Sequence, residues 1–370
     1  MNVGTVKEIK THEYRVGLTP NAARAYASNG HTVYVQRGAG VGSSFPDSLY
    51  EAAGCTMLDT AKEVYDICDM IVKVKEPLAP EYDLIRENQI IYTYLHLAAE
   101  RPLTEALIKN KCIAIAFETI TDNSGGLPCL KPMSQIAGRL SLQEGAKYLE
   151  KPFGGRGVLL AGVPGVPPAE VVVLGAGVVG SSALKVAVGM GARVTVLDIN
   201  LQRLEYLEDI YANRISTLYS TPENIESALI QADLVIGGVL IPGAAAPKLI
   251  KNAYLPKMKP GSVIVDVAID QGGCAESSRL TYHDDPVYVQ DGVVHYCVGN
   301  MPGAVPNTST NALTNATLPF GLKMANLGAE AAMKADRHLL NGLNVYKGHL
   351  TIADVAKVHD MPYVEPESLF

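Results

Sequence analysis

The stretch V-V-V-L-G-A-G-V-V-G, Val171 to Gly180, decides the fold. Four apolar residues, Val171 to Leu174, predict a buried strand, and Gly175, Gly177 and Gly180 follow it with the spacing G-x-G-x-x-G. A helix-like segment comes next, then a second apolar run, Val194 to Leu197, that ends on Asp198. Strand, glycine turn, helix, strand and terminal acid together form the βαβ fingerprint of a dinucleotide site. Gly175 permits the tight turn, Gly177 lets the backbone approach a pyrophosphate at the helix N-terminus, and Gly180 lets the helix pack close to the strand. Asp198, 18 residues past Gly180, stands where a ribose-binding acid belongs. Its carboxylate favours NAD, because it would repel the 2′-phosphate of NADP; nearby Arg203 is the one feature that argues for NADP.

The rest of the chain narrows the classes. Its 370 residues suffice for two domains with full cores. The net charge is −7 and no run of Lys or Arg stands out, which argues against nucleic acid and anionic membrane as partners. No uninterrupted apolar segment reaches the length of a membrane span, and the start M-N-V-G-T-V-K-E-I has no signal-peptide core. Cys55, Cys68, Cys112, Cys129, Cys274 and Cys297 form no C-x-x-C and no Cys/His cluster of zinc spacing. We expect no metal, and buried thiols in a reducing cytoplasm.

Strand–helix alternation extends over the first third of the chain. Strands are predicted at Val3–Val6, Thr32–Gln36, Asp69–Val74, Ile90–Leu95 and Cys112–Phe117, with helices at Pro20–Ser28, Ala61–Ile67, Glu81–Arg86 and Pro102–Lys109. Such alternation argues for α/β architecture: two doubly wound, Rossmann-like domains with parallel sheets. A linking helix over 134–150 leads into the nucleotide domain, 134–305, whose later strands fall near Leu234–Ile236, Ser262–Val267 and Val293–Val298. A last helical region, Thr308 to Leu340, crosses back to the first domain, which is therefore discontinuous (1–133 plus 306–370).

Ligands of open parallel sheets bind beyond the carboxyl ends of the strands. At those ends stand Arg15 in R-V-G-L-T-P, Lys75 in M-I-V-K-V-K, His96 in I-I-Y-T-Y-L-H and, in the second domain, Asp270 after S-V-I-V-D-V-A-I. We expect them to converge on a cleft between the domains. Arg15 and Lys75 suit a small carboxylate, one as a bidentate fork and the other as a point charge. His96 suits proton transfer near neutral pH, and Asp270 suits orienting or polarising the reacting group. Position alone also fits a surface charge for Arg15 or Lys75, a structural hydrogen bond for His96 and a loop cap for Asp270.

These residues lie within longer strings: K-E-I-K at Lys7, V-K-V-K-E-P at Val72, Y-T-Y-L-H-L at Tyr92 and P-M-S-Q-I-A-G-R-L at Pro132. The strings continue with E-K-P-F-G-G-R-G-V-L-L at Glu150, V-P-G-V at Val163, V-I-V-D-V-A-I-D-Q-G-G-C at Val263 and N-M-P-G-A-V-P at Asn300. Through them the chain resembles the alanine dehydrogenases nearly end to end. The resemblance implies reversible, NAD-dependent oxidative deamination of L-alanine to pyruvate and ammonia. It implies Arg15 and Lys75 as substrate ligands and His96 and Asp270 as the catalytic pair. The nucleotide contacts it implies are Ser134, Val178, Val179, Asp198, Arg203, Ser220, Val239, Leu240, Val267, Ala268, Ile269, Asp270, Arg279, Val298, Gly299, Asn300 and Met301. It also implies a cytoplasmic homohexamer. Gly17, Gly238 and Gly299 depart from it, standing where alanine is common, and small-for-small changes of this kind are expected to touch only loop stiffness. The rival readings are the nucleotide-binding alpha part of a proton-translocating transhydrogenase, a saccharopine dehydrogenase, and a catalytically silent NAD-binding protein. A transhydrogenase part typically lacks a histidine where His96 stands.

Overall fold

The computed structural model describes residues 1–239 and 246–370. Its strands are, in chain order, β1 (Asn2–Thr5), β2 (Thr32–Gln36), β3 (Thr56–Leu58), β4 (Met70–Val72), β5 (Ile90–Thr93), β6 (Ile113–Ala116), β7 (Glu170–Leu174), β8 (Arg193–Asp198), β9 (Ile215–Tyr219), β10 (Leu234–Gly237), β11 (Val263–Asp266), β12 (Val287–Gln290), β13 (Val293–Tyr296), β14 (Leu343–Tyr346) and β15 (His349–Leu350). They build two compact units, Met1–Met133 with Val305–Phe370, and Ser134–Ala304.

In the first unit the sheet order is β15-β14-β6-β5-β4-β1-β2-β3. The strands from β6 to β3 are parallel, with β14 and β15 added antiparallel at one edge. Central strands such as I-I-Y-T and I-A-I-A are buried on both faces, as strands covered by helices must be. Ile71, Ile91, Leu103, Leu107, Ala114 and Val345 form the core of one face. Thr19 caps the helix Pro20–Ser28 by accepting a hydrogen bond from the Ala22 N–H, with Pro20 preset for the first turn.

The second unit has the order β12-β13-β11-β10-β7-β8-β9, parallel except for β12. Val172, Leu197, Leu229, Val235, Ile250 and Ile264 pack between its sheet and one helix layer. The register aligns the carboxyl ends: Leu174 lies opposite Leu197 and Gly237, Gly237 opposite Asp266, and Val265 opposite Tyr296.

Several elements differ from the sequence expectation. The region Thr308 to Leu340 is three helices, Pro306–Leu327, Ala329–Ala335 and Arg337–Leu340. Gly328, at φ +81°, ends the first, and Asp336 caps the third by accepting from His338 and Leu339. The linking helix begins earlier and spans Lys131–Tyr148. β4 and β5 end at Val72 and Thr93, so Lys75 and His96 lie just beyond them. Backbone pairing continues there, from Lys73 N–H to Tyr92 O and from Tyr94 N–H to Val74 O. Cys55 is only half-buried; the other five thiols are buried.

Candidate active site and dinucleotide site

The order of each sheet reverses at one place, between β1 and β4 in the first unit and between β7 and β10 in the second. Crevices form at such switch points, because consecutive connections leave on opposite sides. The glycine turn after β7 lies at the second of them. Gly175 has φ +94°, and a Cβ added to Gly180 would fall 1.7 Å from Gly175 O, so the turn itself demands both glycines. A Cβ on Gly177 would meet nothing within 4 Å. That glycine answers to no protein neighbour, which is what a ligand-facing glycine requires. Gly177 is also the N-cap of the helix Val178–Gly189, with no side-chain cap and no acid in the first turn. The first-turn amides of Val178 and Val179 therefore suit an anion. The residues present thus fit a dinucleotide pyrophosphate.

Several of the other expected contacts follow the ends of strands in the same sheet. At the end of β8, Asp198 accepts from the Ala176 N–H (2.6 Å) and the Asn200 N–H (2.8 Å), keeping further lone pairs for a ribose. Its carbonyl receives the N–H of Ser220, just past β9. Arg203 donates from Nε to Ala176 O and from Nη2 to Ser181 Oγ, both at 2.8 Å, and stacks on Tyr206. Its guanidinium buttresses the glycine turn, which weakens the argument for NADP. Val239, beyond β10, closes over Gly175, its Cγ2 lying 3.0 Å from an added Cβ. Leu240 lies outside the described residues. Ser134 sits one turn before Gly138, where an added Cβ would fall 2.2 Å from Val179 O; its helix therefore packs against the nucleotide helix.

After β11, Val267, Ala268, Ile269 and Asp270 form a 3-10 turn. The sequence reading missed what holds it. Fully buried Asp266 accepts from the N–H groups of Ala268, Cys274 and Ala275 and from the Ser278 hydroxyl, tying both ends of the loop. Beside this turn run Val298, Gly299, Asn300 and Met301, paired to Thr281 through the Gly299 N–H. A Cβ on Gly299 would lie 2.8 Å from Leu280 Cδ1 and 3.1 Å from Asp270 Oδ1. Arg279 is exposed, its guanidinium 4.1 Å above the Tyr288 ring.

In the first unit the loop after β1, the extension of β4 and the extension of β5 meet. Arg15 is 2 % exposed and forms a fork with Glu13, Nε to Oε1 at 2.7 Å and Nη2 to Oε2 at 2.6 Å. Burial alone would raise the Glu13 carboxyl, but these charge-assisted bonds pull it down to about 2. Burial, and after it the charge of Arg15, push the Lys75 ammonium below its ordinary value. Glu8 fixes the backbone there: its Oε1 accepts from Val74 N–H (2.6 Å) and Lys75 N–H (3.2 Å). Its charge is met by fully buried Lys73, which also reaches Glu81.

His96 takes a left-handed backbone, φ +50° and ψ 34°. Glu118, just past β6, accepts the N–H groups of both Leu95 and His96 and so holds that turn. The ring is 46 % exposed, lies 5.9 Å from Tyr94 and places Nδ1 3.3 Å from Glu76 Oε2. The structure therefore brings Arg15, Lys75 and His96 together at one sheet edge. Asp270 belongs to the other unit. Glu8, Glu13, Glu76, Glu118 and Asp266 were missed. The readable signals were a charge inside an apolar strand, V-I-V-D, and acids beside the cations in E-Y-R and K-V-K-E.

Residues 4–137 match the family model for the N-terminal domain of alanine dehydrogenase/PNT, and residues 141–353 match that for its C-terminal domain. The chain belongs to the alanine dehydrogenase/PNT family. It is 55% identical to an alanine dehydrogenase of Methanococcus maripaludis over 99% of both chains. It is 54% identical to one of Halomonas elongata over the full length of both. A solved L-alanine dehydrogenase superposes with a TM-score of 0.95 at 51% identity, covering 97% of this chain and 99% of that one. A transhydrogenase from Sinorhizobium meliloti shares the fold, with a TM-score of 0.82 at 24% identity over 95% of this chain and 99% of that one. Among the described residues no helix is long and apolar enough to cross a membrane.

Proposed function

We propose that the chain is an NAD-dependent alanine dehydrogenase that interconverts L-alanine with pyruvate and ammonia. The observation that supports this reading is the gathering of the Arg15 loop, the Lys75 segment and His96 at the switch point of the first sheet. Two cations side by side fit one carboxylate, and the imidazole next to them supplies proton transfer. NAD, when bound, takes the hydride from the alanine Cα. Arg15 and Lys75 hold the substrate carboxylate and so fix which face of Cα is offered. His96 takes a proton from the water that adds to the imine carbon, then returns it to the departing ammonia. Asp270 stabilises the positive charge of the imine. The glycine turn, Asp198, Ser220, Val239 and the segments 267–270 and 298–301 bind the nucleotide, with Ser134, Arg203 and Arg279 beside them. The first unit is thus the substrate domain and the second the nucleotide domain. The enzyme works in the cytoplasm as a homohexamer, a reading supported by its unpaired thiols and its family resemblance; light scattering tests the assembly.

Purified protein with NAD and L-alanine should produce NADH. Parallel reactions with glycine, L-serine, L-lysine or NADP should produce little. Absence of turnover in both directions would remove the substrate assignment. Replacing His96 with Ala should lower turnover about 10²–10⁴-fold while NADH still binds; full turnover in that variant would remove His96 from the mechanism.

A further inference from the structure

We infer that Glu76 is a positioning residue for His96, fixing both the direction of the ring and the nitrogen that carries its proton. The inference rests on His96 being the acid–base group. Glu76 is only 3 % exposed and lies one residue past Lys75, so one short segment carries a substrate ligand and the partner of the catalytic ring. One carboxylate oxygen faces His96 Nδ1 at 3.3 Å, and the other receives Lys10 Nζ. Burial would raise this carboxyl, yet the hydrogen bonds from His96 and Lys10 bring it down to about 2. It is therefore ionised at working pH and can only accept. The contact then requires a proton on Nδ1, which leaves the Nε2 lone pair of the neutral ring as the proton acceptor. Division of labour around His96 is clear. Glu118 holds its backbone and Glu76 holds its ring. The other charged or titratable groups around the pair are Lys10, Lys75, Tyr94, Tyr82 and Glu100.

The test compares Glu76→Gln, His96→Ala and the double variant with the unaltered enzyme. Glutamine keeps the size but removes the charge and the fixed acceptor. Glu76→Gln should lower kcat roughly 10- to 100-fold with the KM for L-alanine within about threefold. Removing a negative charge beside the ring disfavours the imidazolium, so the acid limb of the kcat/KM profile should move to lower pH. In the His96→Ala background the same change should cost nothing further. Unchanged kcat and pH profile in Glu76→Gln, with His96→Ala inactive, overturns the inference and leaves the function intact. Full turnover in His96→Ala removes His96 from the mechanism, and the inference falls with it. Nitrogen-15 spectra of the unaltered enzyme supply a readout that needs no folded variant. The neutral His96 ring should carry its proton on Nδ1, and a proton on Nε2 overturns the inference.

Discussion

At the scale of the residue, the site is built from charges that are held by other charges. Arg15 is buried with a charge-assisted fork to Glu13. Glu13→Gln should therefore cost about 3–5 kcal/mol, since it removes the charged half of a buried ion pair; urea unfolding of the variant measures this. A loss below 1 kcal/mol would show that the fork is not what permits the burial. Asp198 poses the opposite case, a carboxylate at a sheet edge with capacity to spare. Asp198→Ala should weaken NADH binding about 10- to 100-fold and relax the preference against NADPH, as fluorescence titration with both nucleotides would report. Gly17 corrects the expectation that its departure touches only loop stiffness. An added Cβ would fall 2.2 Å from Val72 O, so the glycine lets the loop after β1 lie against the end of β4.

At the scale of the element, the glycine turn separates two demands that the motif merges. Gly180 is required by the protein, because its added Cβ collides with Gly175 O; Gly177 is not. Gly180→Ala should destabilise the second unit by about 1–3 kcal/mol. Gly177→Ala should leave the thermal midpoint unchanged while NADH affinity falls at least about tenfold, because its methyl enters the space of the pyrophosphate. Calorimetry of both variants, with and without NADH, checks the contrast. Several strands escaped the sequence reading. β3 and β9 carry polar residues and are partly exposed, so no apolar run marks them, and β12, V-Y-V-Q, is a four-residue edge strand that is only partly buried. β14 is buried, but Asn344 interrupts its pattern and survives there by donating to Thr119 Oγ1 and Gly342 O.

At the scale of the whole molecule, the buried carboxylates predict how the protein responds to acid. Glu13 and Glu76 both lie at about 2, against an ordinary 4.5. A folded-state value below the unfolded one contributes stability that is complete above about pH 4.5 and is lost as pH falls towards 2. Glu8, raised by burial, works in the opposite direction. The comparison with Glu13→Gln isolates one share: the variant should lose less stability than the unaltered protein between pH 5 and 3, by about the same denaturant titration at each pH. Parallel slopes for the two would remove Glu13 from the acid response.

The sequence by itself determined the α/β class, the glycine turn after β7, the acid at the end of β8 and the cations and imidazole at strand ends. Glycine spacing, apolar period and strand-end position are local, and each has a physical meaning within about 30 residues. Only the tertiary structure decided that the loop after β1 meets the ends of β4 and β5, because β1 and β4 become neighbours through a sheet order that no local signal encodes. The partners of His96, Glu76 and Glu118, come from neighbouring strand ends, whereas Glu13 meets Arg15 within its own loop. An acid beside a cation in sequence looks like a surface pair until burial and a third strand show which ring or guanidinium it holds.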